Sequence, residues 1–188
     1  GGAFGQLLHH LLLQCRGLLQ YPEHQNAQAF FKAVNHFYLQ RPELWEIDFS
    51  WEGFEWISND DYQQSVIAFR RKSREGKELV CVCNFVPVQR ENYCIGVPYA
   101  GVYEEVFTSD AAEFGGTGFT NGNNIRTVDE AMHGFEQSIS LTLPENTVFF
   151  LRCKRKAAKK PAAKTTKTAA KKPAAKKAAG TKAAKKKA

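Results

Sequence analysis

Acidic residues are missing from the last stretch of this chain: from Lys154 to the C-terminus there are 15 Lys and Arg and no Asp or Glu. The formal net charge of +7 therefore misdescribes the protein. Residues 1–153 hold eleven basic and nineteen acidic side chains, a net of −8. A mildly acidic body is joined to a basic tail, and any affinity for polyanions is expected of the tail alone. Long hydrophobic runs are also missing. Nothing approaches the ~18 apolar residues of a membrane span. The short run Leu7–Leu13 is interrupted by His9 and His10, without the basic leader or small-residue cleavage site of a signal peptide. A cytoplasmic protein with no membrane partner is expected. The chain opens on Gly1 and Gly2 rather than Met, the expected look of a piece of something longer.

The five cysteines (Cys15, Cys81, Cys83, Cys94 and Cys153) include no CxxC pair. Cys81 and Cys83 are two apart in a strand-like run, which puts them on one face instead of around an ion. They read as small hydrophobes in a reducing compartment, and neither a metal nor a cofactor is expected. No Lys-Ser or Lys-Thr follows the glycines of residues 114–124, so the phosphate loop of nucleotide-binding proteins is excluded and an ordinary surface loop expected. His24 and His36 have no evident Ser or Cys partner, which removes a catalytic triad. Asp60 and Asp61 are adjacent in Ser-Asn-Asp-Asp, which is turn chemistry; adjacent strand residues also point to opposite faces. The same objection meets Glu104 with Glu105 and Asp129 with Glu130. No catalytic residue is assigned.

What is present is a core. Hydrophobic residues make up 43% of the chain and aromatics 12%, enough for one compact domain. Ala27, Phe30, Phe31, Val34, Phe37 and Tyr38 recur at spacings of three and four, predicting an amphipathic helix over 26–40 that Pro42 ends. A short helical turn around residues 43–45 follows. The period then becomes two, predicting strands over 53–58, 65–72, 78–85, 93–97, 102–108, 137–143 and 147–153. Glu75-Gly76 lies between two of them, where glycine supplies the positive φ of a hairpin turn. Short strands between turns predict a mainly β fold, an antiparallel β-sandwich preceded by the helix.

Two features carry functional readings. Trp45, Phe49, Trp51, Phe54 and Trp56 fall within twelve residues. Exposed Trp rings stack on sugar faces, but packing against a core or a neighbouring domain is the commoner use, so Trp51 and Trp56 are candidates for either sugar contact or domain packing. The tail repeats Lys-Lys-Pro-Ala-Ala-Lys at 159–164 and 171–176 and has no aromatic or large aliphatic residue. It cannot repay an ordering cost of ~1–2 kcal/mol per residue and is expected to be disordered over 154–188. Its composition resembles the tails of linker histones. Binding to any polyanion by counterion release, without base readout, is the alternative function.

The sequence also resembles one family in several blocks, in order. Leu44-Trp45-Glu46-Ile47-Asp48-Phe49-Ser50-Trp51-Glu52-Gly53-Phe54-Glu55-Trp56-Ile57 is similar to the start of the C-terminal domain of bacterial glycogen branching enzymes. So are Cys83-Asn84-Phe85-Val86-Pro87-Val88-Gln89-Arg90-Glu91-Asn92-Tyr93, Ile95-Gly96-Val97-Pro98, Phe114-Gly115-Gly116-Thr117-Gly118 and Ser138-Ile139-Ser140-Leu141-Thr142-Leu143-Pro144. Gly1-Gly2-Ala3-Phe4-Gly5-Gln6 resembles the family's Gly-x-Glu-Phe-Gly-Gln near the last strand of its catalytic barrel, with Ala3 in place of Glu. Tyr21-Pro22-Glu23-His24 resembles the segment ahead of its long helix. The resemblance implies a remnant of the barrel over 1–20, a helical linker region over 21–50 and a β-sandwich over 51–153. It implies an accessory domain of a 1,4-α-glucan branching enzyme, without the catalytic carboxylates, which lie upstream in the family. The implied partners are a barrel supplied upstream or in trans, and α-glucan.

Overall fold

The computed structural model describes residues 17–154; expectations placed on 1–16 and 155–188 lie outside those residues. The first long element is helix α1 (Pro22–Gln40), which starts four residues earlier than the apolar pattern suggests. Pro22 is the reason: at the first helical position its missing N–H costs nothing and its fixed φ suits the helix. Arg41 is forced out of the helical region by the proline after it, at φ −118° and ψ 90°, which ends α1. Pro42 then opens the short helix α2 (Pro42–Trp45).

Eight strands follow: β1 (Phe54–Ser58), β2 (Val66–Lys72), β3 (Glu78–Asn84), β4 (Arg90–Val97), β5 (Val102–Thr108), β6 (Ile125–Arg126), β7 (Gln137–Leu143) and β8 (Val148–Cys153). All pairings are antiparallel. One sheet has six strands in the order β1-β2-β3-β8-β5-β6, and the other is the ribbon β4-β7. The mainly β, antiparallel sandwich preceded by a helix is the fold. The β2–β3 hairpin turns at Gly76, with φ 77°.

The core lies between the two sheets. Val66, Ala68, Val80, Val82, Phe149 and Leu151 of the large sheet meet Ile95, Val97, Ile139, Leu141 and Leu143 of the ribbon, all buried. Alternation within each strand explains which residues go there: Val80 and Val82 turn inward, Cys81 and Cys83 outward.

Helix α1 covers part of the outer face of the large sheet. Phe37 lies 4.9 Å from Phe107 and 5.1 Å from Phe150, and Phe30 lies 5.4 Å from Phe114, ring centre to ring centre. A bulge in β5 makes this possible. Glu105 pairs with Leu151, but the next partner of β8, Phe150, pairs with Phe107, so Val106 is the extra residue. The bulge shifts the alternation, so one strand gives Tyr103 to the core and Phe107 to the helix side. The helical stripe is split in the same way. Phe30 and Phe37 face the sheet, whereas Phe31, Tyr38 and Leu39 stay exposed. Residues 31 and 38 sit about 100° around the axis from 30 and 37, too far to reach the same sheet.

Candidate functional site

The candidate site is the aromatic segment between α2 and β1, where polar anchors and aromatic rings behave differently. The segment is fastened by one main-chain carbonyl and two carboxylates. Arg71, on the outer face of β2, donates from Nη2 to the Leu44 carbonyl at 2.9 Å and to Asp48 Oδ1 at 2.8 Å. The Arg74 amide donates to Glu46 Oε2 at 2.9 Å. Gly53 passes so close to Ile47 that a Cβ there would sit 2.0 Å from the Ile47 carbonyl oxygen, so only glycine fits. Ser50 Oγ accepts from the Glu52 amide and opens a single 3-10 turn, Trp51–Gly53, that leads into β1.

The rings carried on this scaffold are left in solvent. Trp51 keeps 84% of its surface, Phe49 is fully exposed, and Trp45 and Trp56 are each nearly half exposed. On the outer face of β1 and β2, Phe54 stacks on Phe69 at 5.2 Å, and Trp56 meets Phe54 edge-on at 4.9 Å and Phe69 at 5.9 Å. Of the two predicted site residues, Trp56 therefore belongs to a ring cluster on the edge strand and Trp51 projects freely one turn before it. Neither enters the core. The sequence singled out the cluster but could not show that its rings stay outside.

The other face of β1 and β2 carries a charge network. Arg70 donates to Glu55 Oε2 at 2.6 Å and to Glu78 Oε2 at 3.1 Å, Lys72 reaches Glu55 at 2.6 Å, and Tyr99 Oη donates to Glu78 Oε1 at 2.8 Å. Partial burial works against the Glu55 carboxylate, but the hydrogen bonds from Lys72 and Arg70 outweigh it and hold its pKa below the ordinary value. The Arg70 guanidinium also lies 5.4 Å from the Phe135 ring centre. Every charge in this network is matched, which suits a structural clamp at the sheet edge.

Four further carboxylates are likewise occupied. Asp61 accepts from the Gln64 amide, from Gln64 Nε2 and from Tyr93 Oη at 2.7 Å, fastening the β1–β2 turn to the ribbon. Burial first, and this bond second, push the Tyr93 phenol well up. Glu104 pairs with Arg152 at 2.6 Å and with Lys154 at 3.4 Å, and the hydrogen bond from Arg152 holds it below the ordinary carboxylate range. Glu105 accepts from the Asn121 amide and side chain. The glycine-rich loop after β5 is built around an anion of its own. Asp110 accepts from the Thr117 amide at 2.9 Å and from the Thr117 hydroxyl, and the Asp110 carbonyl accepts from the Gly118 amide at 2.7 Å. Those amides are spent, and a carboxylate fills the space a phosphate would need. Among the described residues no group of three or more His, Cys, Asp or Glu is placed to hold a metal ion. No described helix is long and apolar enough to cross a membrane.

The strands that follow this segment match a known domain family. The alpha amylase C-terminal all-beta domain model matches residues 56–154, more than half the chain. The chain belongs to that family. Its relatives include three proteins named 1,4-alpha-glucan branching enzyme GlgB. The one from Aromatoleum aromaticum is 43% identical over 154 residues, covering 80% of this chain and 24% of its own. Those from Francisella philomiragia and Aquifex aeolicus are 40% and 42% identical, covering 82% and 81% of this chain and 25% of their own length in each case. The chain thus spans about a quarter of the length of the curated relatives it matches.

Proposed function

We propose that this chain is the accessory β domain of a 1,4-α-glucan branching enzyme and does not branch glucan by itself. Residues 1–20 would be the remnant of the catalytic barrel, 21–50 the linker region and 51–153 the accessory sandwich. The reaction breaks an α-1,4 bond and re-forms an α-1,6 branch by retaining chemistry, which needs two carboxylates ~5–5.5 Å apart with one free to attack. The carboxylates described above are committed to arginines, lysines, tyrosines and backbone amides. The domain's part would be to brace a catalytic barrel carried upstream or supplied by another chain.

The observation that carries this reading is the aromatic segment of residues 45–56, fastened through the Glu46 and Asp48 carboxylates while Trp51 and Phe49 face solvent. A lone domain gains nothing from holding large rings in water. A surface that presses on a second domain gains ~25 cal/mol for each Å² of apolar area covered. Trp51 and Trp56 are assigned to domain packing, with α-glucan stacking as the competing use. Purified as the 188-residue chain, the protein should leave the iodine colour of amylose unchanged. Branching above a blank preparation would refute the proposal. Glucan pull-down by the wild type, lost in Trp51→Ala and Trp56→Ala with the fold intact, would reassign the rings to sugar.

A second reading rests on the charge segregation of the sequence. Fifteen cations without an acid from Lys154 onward are suited to nucleic acid or another polyanion. Truncation after Cys153 should abolish heparin or DNA binding at low salt, and unchanged binding would discard the reading.

A further inference from the structure

Cys81 and Cys83 have no part in the reading above. Both stand on β3 and face outward, opposite Val80 and Val82, which fill the core. Cys81 pairs across the sheet with Phe69 and Phe150, and Cys83 with Ile67 and Val148, so the registered neighbours are all apolar. The thiols are free and buried, 2% and 6% exposed, with their Sγ atoms 3.8 Å apart. The hydrogen bond shared with Cys83, and then burial, push the Cys81 thiol well up. The same bond holds Cys83 below its ordinary value.

Three constraints decide what such a pair can hold. The first is donor number: two sulfurs, with no third ligand grouped beside them among the described residues, cannot complete the four-coordinate site that zinc prefers. The second is charge. Two thiolates carry −2 in a wall whose registered neighbours include no cation, so a monovalent copper would leave a buried anion, and a neutral product is needed. The third is geometry. With bonds of about 2.3 Å, typical of metal–thiolate contacts, two sulfurs stand ~3.3 Å apart at a right angle and ~4.6 Å apart in a line. The observed 3.8 Å lies between the two, and a closure of about a few tenths of an ångström brings the sulfurs onto a bent centre.

We propose that the Cys81–Cys83 pair is a chelating site for monosubstituted trivalent arsenicals, R–As=O. Two As–S bonds form, the arsenic–oxygen bonding is broken, and the oxygen leaves as water with both thiol protons. Arsenic stays trivalent and no sulfur is oxidised, so no further reactant is required. The product is neutral and pyramidal, which meets the charge and angle constraints together. Attack begins at Cys83, the more exposed thiol, and closes on Cys81.

The test uses the full chain and phenylarsine oxide, read by intact mass. One phenylarsenic group should replace two protons, resist excess 2-mercaptoethanol and come off with 1,2-ethanedithiol. Iodoacetamide applied to the adduct under denaturing conditions should spare Cys81 and Cys83 and alkylate Cys15, Cys94 and Cys153. Cys81→Ser and Cys83→Ser should each weaken binding about 100-fold by removing the second, intramolecular bond, whereas Cys94→Ser and Cys153→Ser should leave it unchanged. No adduct, an adduct stripped by 2-mercaptoethanol, or an adduct mapped to other cysteines would each overturn the proposal. The wild-type map decides the matter even where a serine variant fails to fold.

Discussion

Replacing Phe37 by alanine tests how α1 is attached. Phe37 is the only buried residue of the helix, and its ring sits against Phe107 and Phe150 with the Arg41 guanidinium 5.3 Å from its centre. Truncating a buried phenylalanine costs ~3–5 kcal/mol, of which each aromatic pair supplies ~0.5–1.5. Phe37 keeps 9% of its surface, so the lower end applies, about 3 kcal/mol. At ~2–4 °C per kcal/mol, the melting temperature should fall by about 6–12 °C. Phe31→Ala is the control. Its ring is 65% exposed on the same helix, and the change should cost at most about 0.5 kcal/mol. Urea unfolding followed by circular dichroism gives both numbers. A Phe37→Ala cost below about 1 kcal/mol, or an equal cost for Phe31→Ala, would refute the packing described for α1.

Other consequences can be measured on the same protein. Asp110→Ala removes the acceptor of the Thr117 amide and hydroxyl, and should cost about 2–3 kcal/mol and speed hydrogen exchange at Thr117. Gly116→Ala drives a Cβ to within 2.4 Å of the Asp110 backbone and should destabilise the same loop, seen as a lower urea midpoint. The carboxylates of Glu55 and Glu104 are held below their ordinary range in the folded state, so their contribution is present above the unfolded value of about 4.3. It is lost as pH falls through the folded values; a Glu55→Gln/Glu104→Gln variant should show a flatter fall in urea midpoint between about pH 5 and pH 3. Glu43 is buried with Oε2 unpartnered, so Glu43→Met should raise stability by about 1 kcal/mol in the isolated chain, measured by the urea midpoint.

The strands were legible because a half-buried strand alternates. The run 102–108 and the run 137–143 match β5 and β7 end to end, and the others differ by one residue at an end or, for β4, by three at its start. The β5 bulge was not legible: a period of two puts Tyr103 and Phe107 on one face, and only the extra Val106 sends them to opposite sides. The two-residue β6 is too short to show any period. The apolar stripe of α1 was legible as a stripe, but which half meets the sheet depends on where Phe107 and Phe150 stand. The aromatic cluster behaved similarly. Its composition marked Trp51 and Trp56, while their exposure follows from bonds made by Arg71 and Arg74, which no local pattern announces. The Asp110–Thr117 tie escaped notice because it joins a lone acid to a hydroxyl seven residues away.

The proposed role, bracing a glucan-branching barrel through the face bearing Trp51 and Trp56, can be put to a single experiment. The most direct test grafts its residues 21–153 in place of the matching quarter of the Aromatoleum aromaticum relative and measures iodine-detected branching of amylose. The chimera should branch amylose and should lose most of its activity and its protease resistance when Trp51 and Trp56 are both changed to alanine. A folded chimera without branching, or one indifferent to both tryptophans, would contradict it.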